Sequence, residues 1–268
     1  MKVSVISASK EKKKEIELPS QFNEEVRADI ILRAVLAIQS NRRQRYGASP
    51  EAGKRASAVI SRRRHDYRGA YGHGISRVPR KILTRRGTRM YWVGAFAPGT
   101  VGGRRAHPPK ASKVYSQKIN KKERRKAIRS AIAASIIKEL VEQRGHKVPN
   151  DYPFVLESKI EDIKKTKDIK STLEKIGLKE ELKRASIKTI RAGKGKSRGR
   201  KYKKRAGPLL VVSKECSLMS SASNIPGINI VEVKNINAEL LAPGAVPGRL
   251  TLWSEAAIEK LGKEKLFM

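Results

Sequence analysis

Residues 41–113 limit what this chain can fold into more than any other part of it. They carry 19 Lys and Arg against two acidic side chains, Glu51 and Asp66. Ten glycines and five prolines interrupt residues 46–113, and no hydrophobic period of 2 or 3.6 survives that punctuation. Such a stretch buries too little apolar area to offset the entropy of ordering it. It is ordered by a partner or it stays disordered. A structureless loop of this length is unusual inside a compact domain. Its aromatics, Tyr67, Tyr71, Tyr91, Trp92 and Phe96, argue against a plain linker or a solubilising tail.

The rest of the chain is far less lopsided. Residues 1–40 hold seven basic and six acidic side chains, and residues 206–268 hold six of each. Residues 114–190 hold 20 and 11, and residues 191–205 hold nine basic and no acidic ones. The net charge over 268 residues is +36. A compact body with that much like charge repels itself unless a polyanion neutralises it. Nucleic acid does so through phosphate contacts and counterion release. A membrane partner would call for an apolar stretch of about 18 residues, or a basic amphipathic helix carrying aromatics. The longest largely apolar run, residues 131–137, is much shorter, so no membrane is expected. The opening residues turn charged too soon for a secretory signal. Cys216 is the single cysteine, which excludes an internal disulfide and fits a reducing, cytoplasmic setting.

Secondary structure is legible on both sides of the basic block. Residues 2–6 and 15–18 alternate as the arms of a β-hairpin. A helix is expected from about Asn23, with Asn23 as N-cap and Val26, Ile30, Ile31, Ala34, Val35 and Ile38 on its buried face. A second helix is expected over residues 120–143, with Ile128, Ile132, Ile136 and Leu140 in one stripe and Gly145 just past its end. Residues 154–156 read as a strand, and residues 167–176 and 179–186 as helical pieces. Strands at 209–212, 228–233 and 250–253 alternate with helical pieces at 217–222 and 236–241. A last helix over 255–261 is capped by Ser254. This alternation predicts an α/β fold, a three-layer arrangement of a mainly parallel sheet with flanking helices. The globular domain is expected to comprise residues 1–45 and 114–268. The long extended basic loop, residues 46–113, is inserted after the first helix.

The basic segments have the chemistry of an RNA surface. Guanidinium groups pair with phosphates in bidentate fashion, glycines let backbone approach closely, and aromatic rings stack on unpaired bases. Candidate RNA contacts begin with Arg42, Arg43 and Arg45 at the end of the first helix. Within the loop they are Arg62, Arg63, Arg64, Arg68, Arg77, Arg104, Arg105 and Lys110. Tyr71, Tyr91, Trp92 and Phe96 are candidates for base stacking. Lys121, Lys122, Arg124 and Arg125 crowd the first turns of the second helix, the wrong end for cations by the helix dipole; an anionic partner there removes the conflict. Residues 191–205 form a second basic contact segment, with Arg198, Arg200, Lys203, Lys204 and Arg205.

Other chemistries find little support. Gly195-Lys196-Ser197 resembles the end of a nucleotide-binding loop, but Ile190 stands where its first glycine belongs and no convincing strand precedes it. His65, His73, His107 and His146 lack carboxylate or cysteine neighbours at ligand spacing, so no metal is expected. Cys216 reads as a small core or surface residue. The basic blocks lack the carboxylates of a two-metal nuclease. No cofactor and no catalysis are expected.

Three stretches together carry a family resemblance. They are Arg85-Arg86-Gly87-Thr88-Arg89 through Gly94-Ala95-Phe96, then Gly102-Gly103-Arg104-Arg105-Ala106-His107-Pro108, then Ser116-Gln117-Lys118-Ile119-Asn120-Lys121-Lys122. With Arg144-Gly145-His146, the chain resembles the ribosomal protein L four family of the large subunit, in its archaeal and eukaryotic form. The lack of a long C-terminal extension favours the archaeal type. The resemblance implies a structural protein that binds 23S-type rRNA, touches neighbouring ribosomal proteins and assists subunit assembly. It implies a globular domain on the outer face and a loop threading the rRNA to the polypeptide exit tunnel, where it meets the nascent polypeptide. Carried onto this sequence, the loop tip falls within residues 76–94, with Arg80, Lys81, Arg85, Arg86 and Arg89 as tip contacts. Folded back on itself, the loop reaches roughly 100 Å at full extension. Two other classes remain: a translational repressor of its own messenger, using the same surface, and an RNA-modifying enzyme with an α/β catalytic domain. The enzyme would need a glycine-bearing cofactor turn, and the turns after Val212 and Val233 have none.

Overall fold

The computed structural model describes residues 1–268 as two units, Met1–Arg42 with Ser116–Met268, and Arg43–Tyr115. In chain order the first elements are β1 (Lys2–Ile6), β2 (Lys12–Glu17), α1 (Ala28–Arg42), β3 (Arg80–Arg86) and β4 (Arg89–Gly94). Next come α2 (Lys121–Ile136), α3 (Lys138–Gln143), β5 (Phe154–Leu156), α4 (Thr166–Leu173) and α5 (Lys179–Ser186). The chain ends with β6 (Lys188–Ile190), β7 (Tyr202–Lys204), β8 (Leu209–Val212), α6 (Ser217–Ala222), β9 (Asn229–Glu232), α7 (Ala238–Leu241), β10 (Thr251–Ser254) and α8 (Glu255–Lys263).

The first unit is built on a six-stranded sheet in the order β2-β1-β5-β10-β8-β9. Only the β1–β2 hairpin is antiparallel; every other pairing is parallel. Parallel strands covered on both faces read as continuous apolar runs, and Leu209-Leu210-Val211-Val212 is buried throughout. Alternate residues then serve two separate cores. Val3, Val5, Val155, Leu209, Val211 and Trp253 face α1, α2, α7 and α8. Ile6, Phe154, Leu156, Leu210, Val212 and Leu252 face α4, α5 and α6. The expected α/β class and mainly parallel sheet are therefore observed, with helices on both faces.

Two helix boundaries differ from expectation, and each has a tertiary cause. The first helix starts at Ala28, and residues 20–23 form a short 3-10 turn instead. The Arg27 N–H donates to Ser130 Oγ at 2.6 Å, and that hydroxyl donates to the Glu25 carbonyl at 2.9 Å. A side chain of α2 thus claims the backbone groups that an earlier helix start would use. The second helix breaks at Ile137, where φ is −82° and ψ is 105°. The buried Tyr152 hydroxyl donates to the Ser135 carbonyl, which an unbroken helix would offer to residue 139. Gly145 ends α3 as expected, with φ of +90°. Ser254 caps α8, its Oγ accepting from the Ala257 N–H at 3.2 Å. The β6–β7 hairpin was not expected: Lys188–Ile190 is a strand, but fully exposed and paired only with Tyr202–Lys204.

Two buried polar centres tie the layers together. The Arg249 guanidinium is 1% exposed and donates to the Gly207 carbonyl, the Leu240 carbonyl and Asn229 Oδ1. It knits the strand starts to α7, and burial pulls its pKa down to about 10. The second centre is Glu181, which has no exposure. It accepts from His146 Nδ1 at 2.7 Å, from Arg184 at 2.6 Å and from the Lys147 N–H at 2.9 Å. Burial alone would raise its pKa, but these donors outweigh burial and hold it at about 2. Burial likewise depresses the His146 pKa against the pull of Glu181, so the imidazole is neutral with its proton on Nδ1.

Both shifts have the same sign for stability. Each group binds fewer protons folded than unfolded, so stability rises with pH. The His146 contribution is lost as pH falls below about 6.5, and the Glu181 contribution as pH falls from about 4.5 towards 2. Glu181→Gln leaves Arg184 without its carboxylate and is expected to cost about 3 kcal/mol. Urea unfolding at neutral pH measures that loss, and the variant should also show a flatter acid limb.

Candidate nucleic-acid interface

The Arg43–Tyr115 unit is organised by backbone crossings and stacked cations, with almost no core. Ala70 and Ala95 are its only buried apolar residues. The β3–β4 hairpin, absent from the sequence reading, is its one regular element. Ile82 faces Trp92 and Thr84 faces Tyr91, with Leu83 bulged out between them. Four arginines and Lys81 along these strands hid that alternation. Gly87 opens the two-residue turn with φ of +55°, a conformation glycine adopts freely. Other glycines serve the unit's own crossings: a Cβ on Gly53 would lie 2.5 Å from the Gly103 carbonyl.

None of the unit's 18 Lys and Arg residues forms an ion pair within the protein. Of its two carboxylates, Asp66 takes the Ser61 hydroxyl at 2.5 Å and the Tyr67 N–H at 2.8 Å. The Ser61 hydroxyl and then the Tyr67 N–H hold the Asp66 pKa below the usual range. Several of the arginines instead lie over aromatic rings. Arg43 sits 4.1 Å from the centroid of Tyr115, whose ring stacks with Tyr46 at 6.2 Å. Arg77 lies over Tyr71 at 4.5 Å, while Arg80 lies over Trp92 and Arg104 over Phe96, each at 5.8 Å. Three of the four aromatics expected to stack on bases are thus already covered by a guanidinium plane. Tyr91 is the exception: it is 67% exposed. The Tyr46–Tyr115 pair was missed, because 69 positions separate its members in the sequence and only the fold makes them a pair.

The remaining candidates fall into three groups. Arg62, Arg63, Arg64, Arg105 and Lys110 are exposed, and so are Arg85, Arg86 and Arg89 around the β3–β4 turn, whereas Arg68 and Lys81 are half-buried. Arg45 is exposed, but Arg42 is held at 2.8 Å by Glu239. At the start of α2, Lys121, Lys122 and Arg124 are exposed. Arg125 donates to the Met268 carbonyl. Asn120 occupies the N-cap position without a side-chain cap. In the β6–β7 hairpin, Lys188 stands opposite Lys204, a like-charge pair that disfavours pairing until an anion screens it. Arg198, Arg200, Lys203 and Arg205 are exposed beside it.

An enzyme of this class would use the carboxyl ends of its parallel strands. Past β8 and β10 that position is taken by the protein's own side chains. Glu161, 6% exposed, accepts from the Ser213 N–H, the Ser213 hydroxyl and the Ser254 hydroxyl at 2.9, 2.8 and 2.5 Å. Burial, reinforced by Glu161, raises the pKa of the nearby Cys216 thiol, the opposite of an activated nucleophile. His146 does have a carboxylate neighbour, contrary to the sequence reading, but Glu181 reaches it only through folding. No three His, Cys, Asp or Glu side chains converge as a metal site, and no helix is long and apolar enough to cross a membrane.

In the free protein, backbone amides of residues 43–115 are expected to exchange with protection factors below about 100, while β8 and β10 exchange slowest. Hydrogen exchange read by mass spectrometry measures this. Protection of the unit equal to that of β8 would show that it holds itself together.

The family described as Ribosomal protein L4/L1 matches residues 16–264. The protein named large ribosomal subunit protein uL4 from Nanoarchaeum equitans is 54% identical over 253 residues, which is 94% of each chain. That of Archaeoglobus fulgidus is 46% identical over 267 residues, 98% of this chain and 99% of the relative. That of Methanocaldococcus jannaschii is 45% identical over 264 residues, 97% and 98%.

Proposed function

We propose that this chain, which belongs to the ribosomal protein L4/L1 family, holds large-subunit rRNA in place chiefly through its Arg43–Tyr115 unit. Family membership makes it a structural protein of archaeal type rather than an enzyme. The observation that carries the RNA reading is a unit with 18 unpaired cations and two buried alanines. Neither its charge nor its ordering entropy is balanced from within. A phosphate backbone threaded among these arginines supplies the missing counter-charge and the missing contacts. The guanidinium planes over Tyr71, Trp92 and Phe96 are set to continue a stack onto unpaired bases, and Tyr91 offers an open ring.

Residues 46–113 act as the rRNA-threading loop, and the turn of the β3–β4 hairpin is its tunnel-facing tip. Arg85, Arg86 and Arg89 flank that turn with their side chains exposed, which supports this reading. There they meet the nascent polypeptide. The α2 start and residues 191–205 add rRNA contacts from the first unit. Neighbouring large-subunit proteins complete its surroundings, and the protein works in the cytoplasm within that subunit and during its assembly.

Two measurements test this. Replacing Arg62, Arg63 and Arg64 with alanine removes three phosphate contacts. The slope of log affinity for large-subunit rRNA against log salt should shrink by about 2 to 3, with little change in sequence preference. Deleting residues 60–105 should yield subunits, if any assemble, that have lost interior rRNA protection while keeping protection at the first unit. Unaltered interior protection would sink the threading role.

A further inference from the structure

One groove of the first unit has a different chemistry from the arginine-rich segments. A depression of about 520 Å³ lies between α4, α5 and the turn after α6. Lys167 and Lys170 stand on its α4 rim, and Lys179 and Lys183 on its α5 rim. All four are exposed. None forms an ion pair, although lysines elsewhere in this unit, such as Lys13, Lys14 and Lys260, are paired with glutamates. Lys179 and Lys183 are four apart on one helix, an arrangement that destabilises the helix until an anion answers it. The floor is apolar: Leu182 is 7% exposed, with half-buried Ile225 and the exposed Pro226 beside it.

This combination does not suit RNA. The lining has no arginine to fork onto a phosphate and no aromatic ring to stack a base. A nucleic acid would also leave the apolar floor without a matching group. We propose that the groove docks an acidic segment of a partner protein, with carboxylates on the lysine rims and one aliphatic side chain on the Leu182–Ile225 floor. Lysine point charges suit hydrated carboxylates and set encounter and register. A buried anchor in the middle then supplies most of the affinity. Glu174, the one acidic residue of the lining, disfavours a purely polyanionic occupant and favours one that brings an apolar anchor.

The test uses the full chain and a peptide of alternating glutamate and serine with one central leucine. Amine acylation read by mass spectrometry reports each lysine separately, so binding to the arginine-rich segments does not confuse the result. The leucine peptide is expected to lower acylation of Lys167, Lys170, Lys179 and Lys183 by about fivefold or more at saturating concentration. Lys2 and Lys265, also exposed and unpaired, should stay reactive. The same peptide with serine in place of leucine should protect the four far less, and Ile225→Asp should abolish protection by the leucine peptide. Equal protection by the serine peptide would overturn the anchor and the proposal with it. Protection of Lys2 and Lys265 to the same extent would reduce the effect to net charge and overturn it too. Stronger protection of the four lysines by an oligouridylate would make the groove an RNA contact instead.

Discussion

Apolar burial in this chain is confined to two layers against one six-stranded sheet, and everything else follows from that confinement. Alternate residues of the parallel strands serve opposite cores, so a single run such as Leu209-Leu210-Val211-Val212 holds helices on both faces at once. At roughly 25 cal/mol per Å² of apolar surface removed from water, these layers stabilise the Met1–Arg42 and Ser116–Met268 parts as one body. The Arg43–Tyr115 unit has only Ala70 and Ala95 to set against its ordering entropy. Its own burial therefore contributes little to its order.

The electrostatics divide along the same line. In the first unit, glutamates answer many of the cations, and the buried Glu181 and Arg249 are each satisfied by several partners. In the second unit the cations form no ion pair, and several of the arginines lie over aromatic rings. A guanidinium stacked on a ring keeps its hydrogen-bonding edge free. The stacking thus positions the arginines without consuming the groups that a phosphate needs. At the carboxyl ends of β8 and β10, Glu161 is held by Ser213 and Ser254 of the same chain.

Much of this was legible in the amino-acid sequence. Strand and helix alternation from residue 154 onward, the Ser254 cap and the Gly145 stop are local signals, and the structure carries them nearly residue for residue. Charge accounting along the chain isolated the basic segments without any structural information. The β3–β4 hairpin was not legible, because arginine occupies both faces of a ribbon that buries neither. The Tyr46–Tyr115 stack, the Glu181 centre and the lysine groove each join residues far apart in sequence.

What the sequence by itself determined is the class of sheet, the division into a balanced part and a basic part, and the kind of partner. Those depend on composition and on periods of two and 3.6, which are properties of neighbouring residues. Only the tertiary structure decided where the first two helices start and break, because Ser130 and Tyr152 claim backbone groups from a distance. It also decided which cations are free: Arg42 and Arg125 are held within the first unit, while the arginines of residues 43–115 form no ion pair. A charge counts towards binding only if no carboxylate of the same chain has reached it first, and that is settled by folding.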